Sequence, residues 1–543
     1  MGVSVFGSIY AALEGRPSLM IAIASLVLMV ALITKLFYPV MDPLEPPAVL
    51  PKIPIIGHLL GIIQHQSNYH KILSKRNHSK PCITIPILNG KMYGVYDPHL
   101  IQQVLRAKSA SFEILHEEFA QKVFGLSQAV FDKILLPGLI PEFTDAIHRS
   151  FQTEALHEMN LRWLEEFSLK VDPLSANKAK VDPYNLGKEK CLPDGIEVEN
   201  FYLWCRDVMS LATTRALYGD NDPFSADKNL LDAIWLFEES IPFFLLSLAP
   251  SVTMPKAYKA RRRLQEALGT WYSAGHDLGP TAAALTKNRA GILRKYGWTG
   301  EEIGLPEVML PAVATLNAVP TFFWLLLYIL QDPALIDRIR EEVEAHIKVS
   351  SNDPAGGKTV LMDIAKFESE LPLLVSSYRE TMRLVNHSVS NRRMLEDLTI
   401  TTQDGQQYLL KKGVDVQLPA GVTHGKTAVW GPNALAFEPE RFLQPTTKLT
   451  EEDRVRKIAY IPFGGGRHLC PGRNFAFAEI IAFTAVMVLG FDLQPIGMKF
   501  RDLKMLGPVL ASGSVKPVGA GKGLGAKIKP REGWTNVKWT FTC

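Results

Sequence analysis

The sequence predicts a mainly α-helical protein with small β-sheets, preceded by a single N-terminal transmembrane helix. Three observations carry that expectation. An uncharged apolar run, Leu19 to Thr34, stands near the N-terminus. Short β-like runs broken by turn residues follow a proline-rich stretch. Beyond them, most segments place apolar residues every three or four positions, with charges on the opposite face.

Residues 1–18 form a short lead, and residues 19–38 a membrane anchor. Its core, "LMIAIASLVLMVALIT", continues past Lys35 through Leu36, Phe37 and Tyr38, about the ~20 residues that cross a ~30 Å hydrocarbon layer. The run is long and no small-x-small cleavage site follows it, which separates it from a signal peptide. Arg16 is balanced by Glu14 before the span, whereas Lys35 and Lys52 follow it. The positive-inside rule therefore favours a cytosolic body and a single-pass topology. Prolines between Pro39 and Pro54 make residues 39–54 a stiff, extended hinge.

Residues 55–543 then read as one catalytic domain. "CITIPILNGKMYGVYD", Cys82 to Asp97, predicts a small sheet, and "PALIDRIREEVEAHI" and "LPLLVSSYRETMRLV" predict amphipathic helices. Val308 to Leu330 is nearly all apolar, but Pro311, Pro320 and Asn317 within it favour a buried central helix over a second span. The last forty residues, rich in Gly and Lys, read as loop or hairpin.

With 47% hydrophobic and 21% charged residues the chain is globular, and a net charge of +4 without a long basic run is too small to imply nucleic acid, so none is expected as a partner, while a local basic face stays open. Five cysteines, Cys82, Cys191, Cys205, Cys470 and Cys543, form no CxxC pair. That pattern fits a reducing compartment and removes a zinc reading of Cys470. The sequons at Asn77 and Asn386 are without consequence in a cytosolic body.

The chemistry concentrates in "IPFGGGRHLCPGRNFA", Ile461 to Ala476. A metal-binding thiolate needs donors that stabilise its charge. Gly464, Gly465, Gly466 and Gly472 allow a tight loop whose amides point at the sulfur, and the helix that follows adds positive potential at its N-terminus. Arg467 and His468 can reach anionic groups on whatever the sulfur ligates. One anchored sulfur plus cations for carboxylates fits haem.

"FGGGRHLCPG", Phe463 to Gly472, resembles the haem-binding loop of the cytochrome P450 family, F-G-x-G-x-[RH]-x-C-x-G, with every defined position filled. The resemblance implies haem b with Cys470 as axial iron ligand, and Phe463, Gly464, Gly466, His468 and Gly472 as cofactor-binding residues. "ETMR" matches E-x-x-R at Glu380 and Arg383, and "PERF" supplies Arg441. In the family these three charges form a buried structural network beneath the cysteine loop. Arg392, five residues before Asp397, takes the place of a propionate-binding arginine, with Arg393 as its competitor. The W-x-x-x-R of the distal helix is missing from "DAIHRSF", so neither His148 nor Arg149 is assigned.

The chain departs from the family at its central helix, where A-G-x-[DE]-T-T is replaced by "VATLNAVP". Leu316 stands for the acid and Asn317 for the threonine; an amide is a poor proton relay. Asn317 and Thr315 are the catalytic candidates. Asn-x-x-Pro is similar to the branch holding sterol 7α- and 12α-hydroxylases and prostacyclin synthase, which divides between oxygen insertion and peroxide rearrangement. The resemblance further implies a pocket lined by Val313, Thr315, Asn317, Val319 and Leu506 to Gly513, and a lipophilic substrate such as a sterol, a terpenoid or another polycyclic secondary metabolite. It also implies membrane lipid around the anchor, an endoplasmic-reticulum location, and NADPH-cytochrome P450 reductase docking on Arg454, Arg456, Lys457, Arg467 and Arg473. The expected activity is monooxygenation. The alternatives are a haem-thiolate isomerase or dehydratase acting on a peroxide, and a non-catalytic haem-binding membrane protein.

Overall fold

The computed structural model describes residues 40–53, 56–77, 80–88, 90–176, 187–350, 357–443, 449–510 and 512–543, together with Ile21, Ala22, Ser25, Leu26, Leu28 and Met29. These last few residues are helical and exposed; the rest of the expected anchor, 19–38, and its lead, 1–18, lie outside the described residues. The chain divides into two compact units, 1–111 with 391–418, and 112–390 with 419–543. It is mainly helical with small sheets, as expected.

In the smaller unit a five-stranded sheet runs in the order Cys82–Ile87, Gly90–Val95, Asp415–Pro419, Val389–Met394, Ala110–Ser111. The first two strands pair antiparallel, from Cys82 opposite Val95 to Ile87 opposite Gly90, and the third runs parallel to the second. Ile83, Ile85, Tyr93 and Val95 are fully buried. The helix Pro98–Arg106 starts where Asp97 accepts from the amides of His99 and Leu100, with Pro98 at the first helical position, where no amide is needed.

The described part of the expected spacer, residues 40–53, turns at Pro43 and Leu44 and is strapped to this sheet. Val49 N–H donates to Thr84 O at 2.9 Å, and Thr84 N–H donates to Pro47 O at 3.0 Å. Buried Glu45 takes Lys91 at 2.6 Å and the Tyr93 hydroxyl at 2.6 Å. Extended backbone offers unpaired donors and acceptors, and the nearest strand satisfies them.

The larger unit is built on the helices Thr153–Ser175, Phe201–Tyr218, Ala318–Leu330 and Arg473–Gly490. Their aromatic faces meet in the core: Phe322 stacks on Phe483 with ring centroids 3.9 Å apart, Phe483 meets Phe167 at 4.6 Å, and Phe167 meets Trp163 at 5.1 Å. Each such side chain contributes about 1.5–3 kcal/mol by leaving water. Two stretches, Gly300–Leu330 and Arg473–Gly490, are long and apolar enough to cross a membrane, yet 72% and 78% of their most apolar windows are buried inside the protein.

The central helix is not continuous. It comprises Gly300–Glu307, Met309–Thr315 and Ala318–Leu330, with a turn at Leu316 and Asn317. Pro320 has no amide proton for the Leu316 carbonyl one turn earlier, so a proline at this point opens the ladder.

The C-terminal stretch corrects the sequence reading. Gly525–Pro530 pairs antiparallel with Phe491–Ile496 and with Gly195–Val198, whereas Val537–Thr542 runs parallel to Lys358–Asp363. The two strands enter different sheets and do not form a hairpin. Two of their partners, Gly195–Val198 and Lys358–Asp363, lie more than a hundred residues away, where no local pattern reveals them.

Candidate active site

Gly464 and Gly466 have φ of +72° and +64°, the left-handed region that glycine tolerates. A Cβ on Gly464 would also stand 3.2 Å from Ser390 Oγ. These turns bring Cys470 N–H to Phe463 O at 3.1 Å, closing the loop. Gly472 caps the helix Arg473–Gly490, and the amides of Gly472 and Arg473 bond the Cys470 sulfur. Burial pushes the thiol pKa up, while these amides and the Arg473 charge pull it down. Of the glycines expected to turn an amide to the sulfur, Gly472 does so, and Arg473, the first residue of the helix, supplies the second. Arg473 also donates to Cys470 O at 3.0 Å. His468 lies edge-on to Phe112, with centroids 6.1 Å apart.

The expected charge network is assembled in full. Arg383 grips Glu380 with two hydrogen bonds of 2.8 and 2.6 Å, and Arg441 donates to the same carboxylate at 3.0 Å. Glu380 and Arg383 are 0% and 1% exposed. The remaining guanidinium donors are used on backbone carbonyls: Arg383 on His424 and Ala434, Arg441 on Trp430 and Asn433. Every charge has partners, which is the condition for burying it.

His424 joins this network to the cysteine loop and was not singled out from the sequence. Its Nε2 accepts from Ile461 N–H at 3.1 Å, so Nδ1 carries the proton and donates to Asn386 O at 3.3 Å. Asn386 in turn donates through Nδ2 to Pro462 O at 3.1 Å. It is 4% exposed, and its amide is engaged in the core. A lone histidine and a sequon carry no periodic signal that marks such a role.

At the break in the central helix, Val313 and Asn317 are exposed, whereas Thr315 and Val319 are 1% and 0% exposed. Positions 313 and 317 share a face and 315 and 319 share the other, so of the four expected lining residues on this helix only the first pair opens outward. The Thr315 hydroxyl donates back to Pro311 O at 2.8 Å. That placement does not suit the catalytic role expected for Thr315. Asn317 Oδ1 accepts from Ser514 N–H at 3.0 Å. With that oxygen committed, the carboxamide nitrogen is the group left to face outward, and it can only donate. Ser512 Oγ faces the orphaned Leu316 carbonyl at 3.5 Å, Thr321 Oγ1 meets Ser514 Oγ at 3.0 Å, and Trp324 Nε1 donates to Val515 O at 2.8 Å. Segment 512–515 thus splints the break.

Arg392 belongs to the smaller unit, where it is 3% exposed and donates to Asn391 O at 2.8 Å. Arg393 pairs with Asp415, and Asp397 takes Lys411 at 2.7 Å. Of the expected basic cluster, Arg454 and Arg456 pair with acids of their own helix, and Arg473 turns into the loop. A cavity of about 600 Å³ lined by Glu166, Arg215, Asp222 and Trp271 shares no residue with the loop or the helix break.

Among the described residues no group of three His, Cys, Asp or Glu side chains stands together to hold a metal ion. Cys470, a single soft donor with amides at its sulfur, fits a prosthetic group that brings its remaining ligands with it.

The family model for cytochrome P450 matches residues 308–514. A cytochrome P450 monooxygenase of Gibberella zeae is 35% identical over 94% of both chains. Cholesterol 7-alpha-monooxygenase of Cricetulus griseus is 25% identical over 64% of this chain and 67% of its own. The solved structure of retinoic acid-bound cyanobacterial CYP120A1 superposes with a TM-score of 0.64 at 17% identity, covering 90% of this chain and all of that one; it attests the fold.

Proposed function

The chain belongs to the cytochrome P450 family of haem-thiolate oxidoreductases, and from that premise we propose that it inserts one oxygen atom of O2 into a lipophilic polycyclic substrate. The balance is RH + O2 + NADPH + H⁺ giving ROH + H2O + NADP⁺, with the electrons delivered by NADPH-cytochrome P450 reductase. The observation that carries the reading is the pair of amides, Gly472 and Arg473, on the Cys470 sulfur at a helix N-terminus. Haem bound there supplies oxygen activation, because a thiolate ligand favours O–O cleavage.

The chain's own residues do the rest. Cys470 would hold the haem iron through its sulfur, and the amides of Gly472 and Arg473 would stabilise the thiolate. His468 and Arg392 are the proposed cations for the haem carboxylates. Glu380, Arg383 and Arg441 hold the loop through His424. Asn317 presents an N–H donor at the open face of the helix break. Exposed Val313 supplies apolar lining beside it. Similarity to a sterol hydroxylase supports a sterol, terpenoid or related secondary metabolite as substrate. Residues 19–38 are proposed to anchor residues 55–543 to the endoplasmic reticulum through the hinge 39–54, with the body cytosolic.

A second reading, rearrangement of a peroxide without a reductase, is favoured by one observation: Leu316 is apolar and Thr315 is turned away, so neither offers a proton at the open face. Expression with and without the reductase separates the two. Products that need NADPH support oxygen insertion; turnover of a hydroperoxide without NADPH rejects it.

A further inference from the structure

A second polar cluster lies in the larger unit, between the helices Phe201–Tyr218, Asn229–Leu246 and Ala318–Leu330 and the segment that splints the helix break. Lys516 Nζ reaches Glu238 Oε2 at 2.5 Å, with side chains 7% and 0% exposed, and Glu239 at 3.4 Å. The Lys516 ammonium also stands 4.6 Å from the centre of the Trp235 ring. Trp235 meets Tyr202 edge-on at 6.3 Å, and Tyr202 meets Phe323 of the central helix at 5.0 Å.

Three buried polar atoms here have no hydrogen-bond partner among the described residues: Glu238 Oε1, Trp235 Nε1 and the Tyr202 hydroxyl. Their residues are 0%, 7% and 2% exposed. Each carries a desolvation penalty, and three together around an ion pair form an unusual concentration. Ser512 lies between them and the helix break: its hydroxyl donates to Ser514 O at 3.1 Å, faces Leu316 O at 3.5 Å, and is near enough to Glu238 to pull the carboxyl pKa down against burial.

We infer that Glu238, Trp235, Tyr202 and Lys516 form a subsite for an alcohol group of the substrate, set back from the helix break. The chemistry selects this class. A ligand must donate to a carboxylate oxygen and accept from an indole N–H or a phenol, which a hydroxyl does with one atom. A carboxylate ligand is repelled by Glu238 and Glu239, and an ammonium by Lys516 and by Arg206, which stands 6.0 Å from the Trp235 ring. The inference rests on the monooxygenase reading and narrows its substrates to polycyclic alcohols.

Cholesterol and its deoxy parent cholest-5-ene are the probes, their binding to the full-length haem-loaded protein measured by equilibrium partition of radiolabelled steroid. Cholesterol is expected to bind about tenfold tighter, a gap of the size of one or two buried hydrogen bonds. Tyr202→Phe narrows that gap about three- to fivefold, leaves cholest-5-ene binding unchanged, and does not lower the unfolding temperature, because its hydroxyl has no protein partner to lose; Trp235→Phe narrows the gap as well but lowers the unfolding temperature, since it also removes ring volume packed against Lys516 and Tyr202. The double variant Glu238→Gln/Lys516→Met avoids stranding one charge and abolishes the gap. Equal binding of the probes, binding of neither, or a gap that survives in all variants overturns the subsite; an ordered water filling the cluster gives the first of these results. Oxidation separates the two readings. If both probes are oxidised equally with NADPH and reductase, monooxygenation stands and the subsite falls. If cholesterol keeps its binding advantage and neither probe is oxidised, the subsite stands and the reaction is misassigned.

Discussion

The two sides of the site are built differently. Around Cys470 the sulfur is held by backbone amides within three residues of it, and the loop is braced through His424 by a charge network whose members are almost wholly buried. At the central-helix break, Asn317 is held by one hydrogen bond from a segment 197 residues away, and its face is open. The first is over-determined and resists change. The second rests on few contacts, so substitutions there alter the reaction before they alter the fold.

The largest effect to test that contrast is Cys470→Ala, which is expected to remove thiolate ligation altogether; the absence of the thiolate-type band of the reduced carbon-monoxide complex checks it. Next is Glu380→Ala, which leaves Arg383 and Arg441 buried without their carboxylate and is expected to cost about 3–5 kcal/mol, read by urea unfolding. Asn317→Leu removes the acceptor for Ser514 N–H and is expected to lower stability by about 1–2 kcal/mol. Its effect on the yield of product per NADPH consumed should be proportionally greater. If Asn317→Leu destabilises as much as Glu380→Ala, the contrast between a braced and a lightly held side fails.

The last effect depends on pH and comes from Glu479, on the helix that begins at the cysteine loop. Burial pushes its carboxyl well above the usual 4.5, against one contact from the Thr213 hydroxyl. That hydroxyl has one proton for two acceptors, Glu479 Oε2 and Met209 O. The folded chain therefore keeps a proton that the unfolded chain releases, and this contribution to stability is full below about 4.5 and falls as pH rises toward the elevated pKa. Glu479→Gln should match the native protein in acid and become relatively more stable as pH rises, measured by thermal unfolding across that range.

Much of the fold was legible. Apolar residues at helical spacing marked Pro333–His346 and Pro372–Val385, and alternation with turn residues marked Cys82–Ile87 and Gly90–Val95. The glycine-rich loop, Glu380, Arg383 and Arg441 were legible because short spacings carry them. His424 and Asn386 were not, since each acts through contacts made only after distant segments meet. Thr315 and Val319 were assigned to the wrong face because the pattern named a region, and only the phase of the folded helix sorts it into an open and a buried side.

By itself the sequence determined the cysteine ligand, the helix that presents it and the proline that opens the central helix; these follow from backbone geometry over a few residues. Tertiary structure decided that Ser514 fixes which way the Asn317 amide faces, that the last two strands enter separate sheets, and that Lys516 meets Glu238 across 278 residues. Such pairings are selected by chain closure and by the need to satisfy buried polar groups, and neither leaves a local imprint.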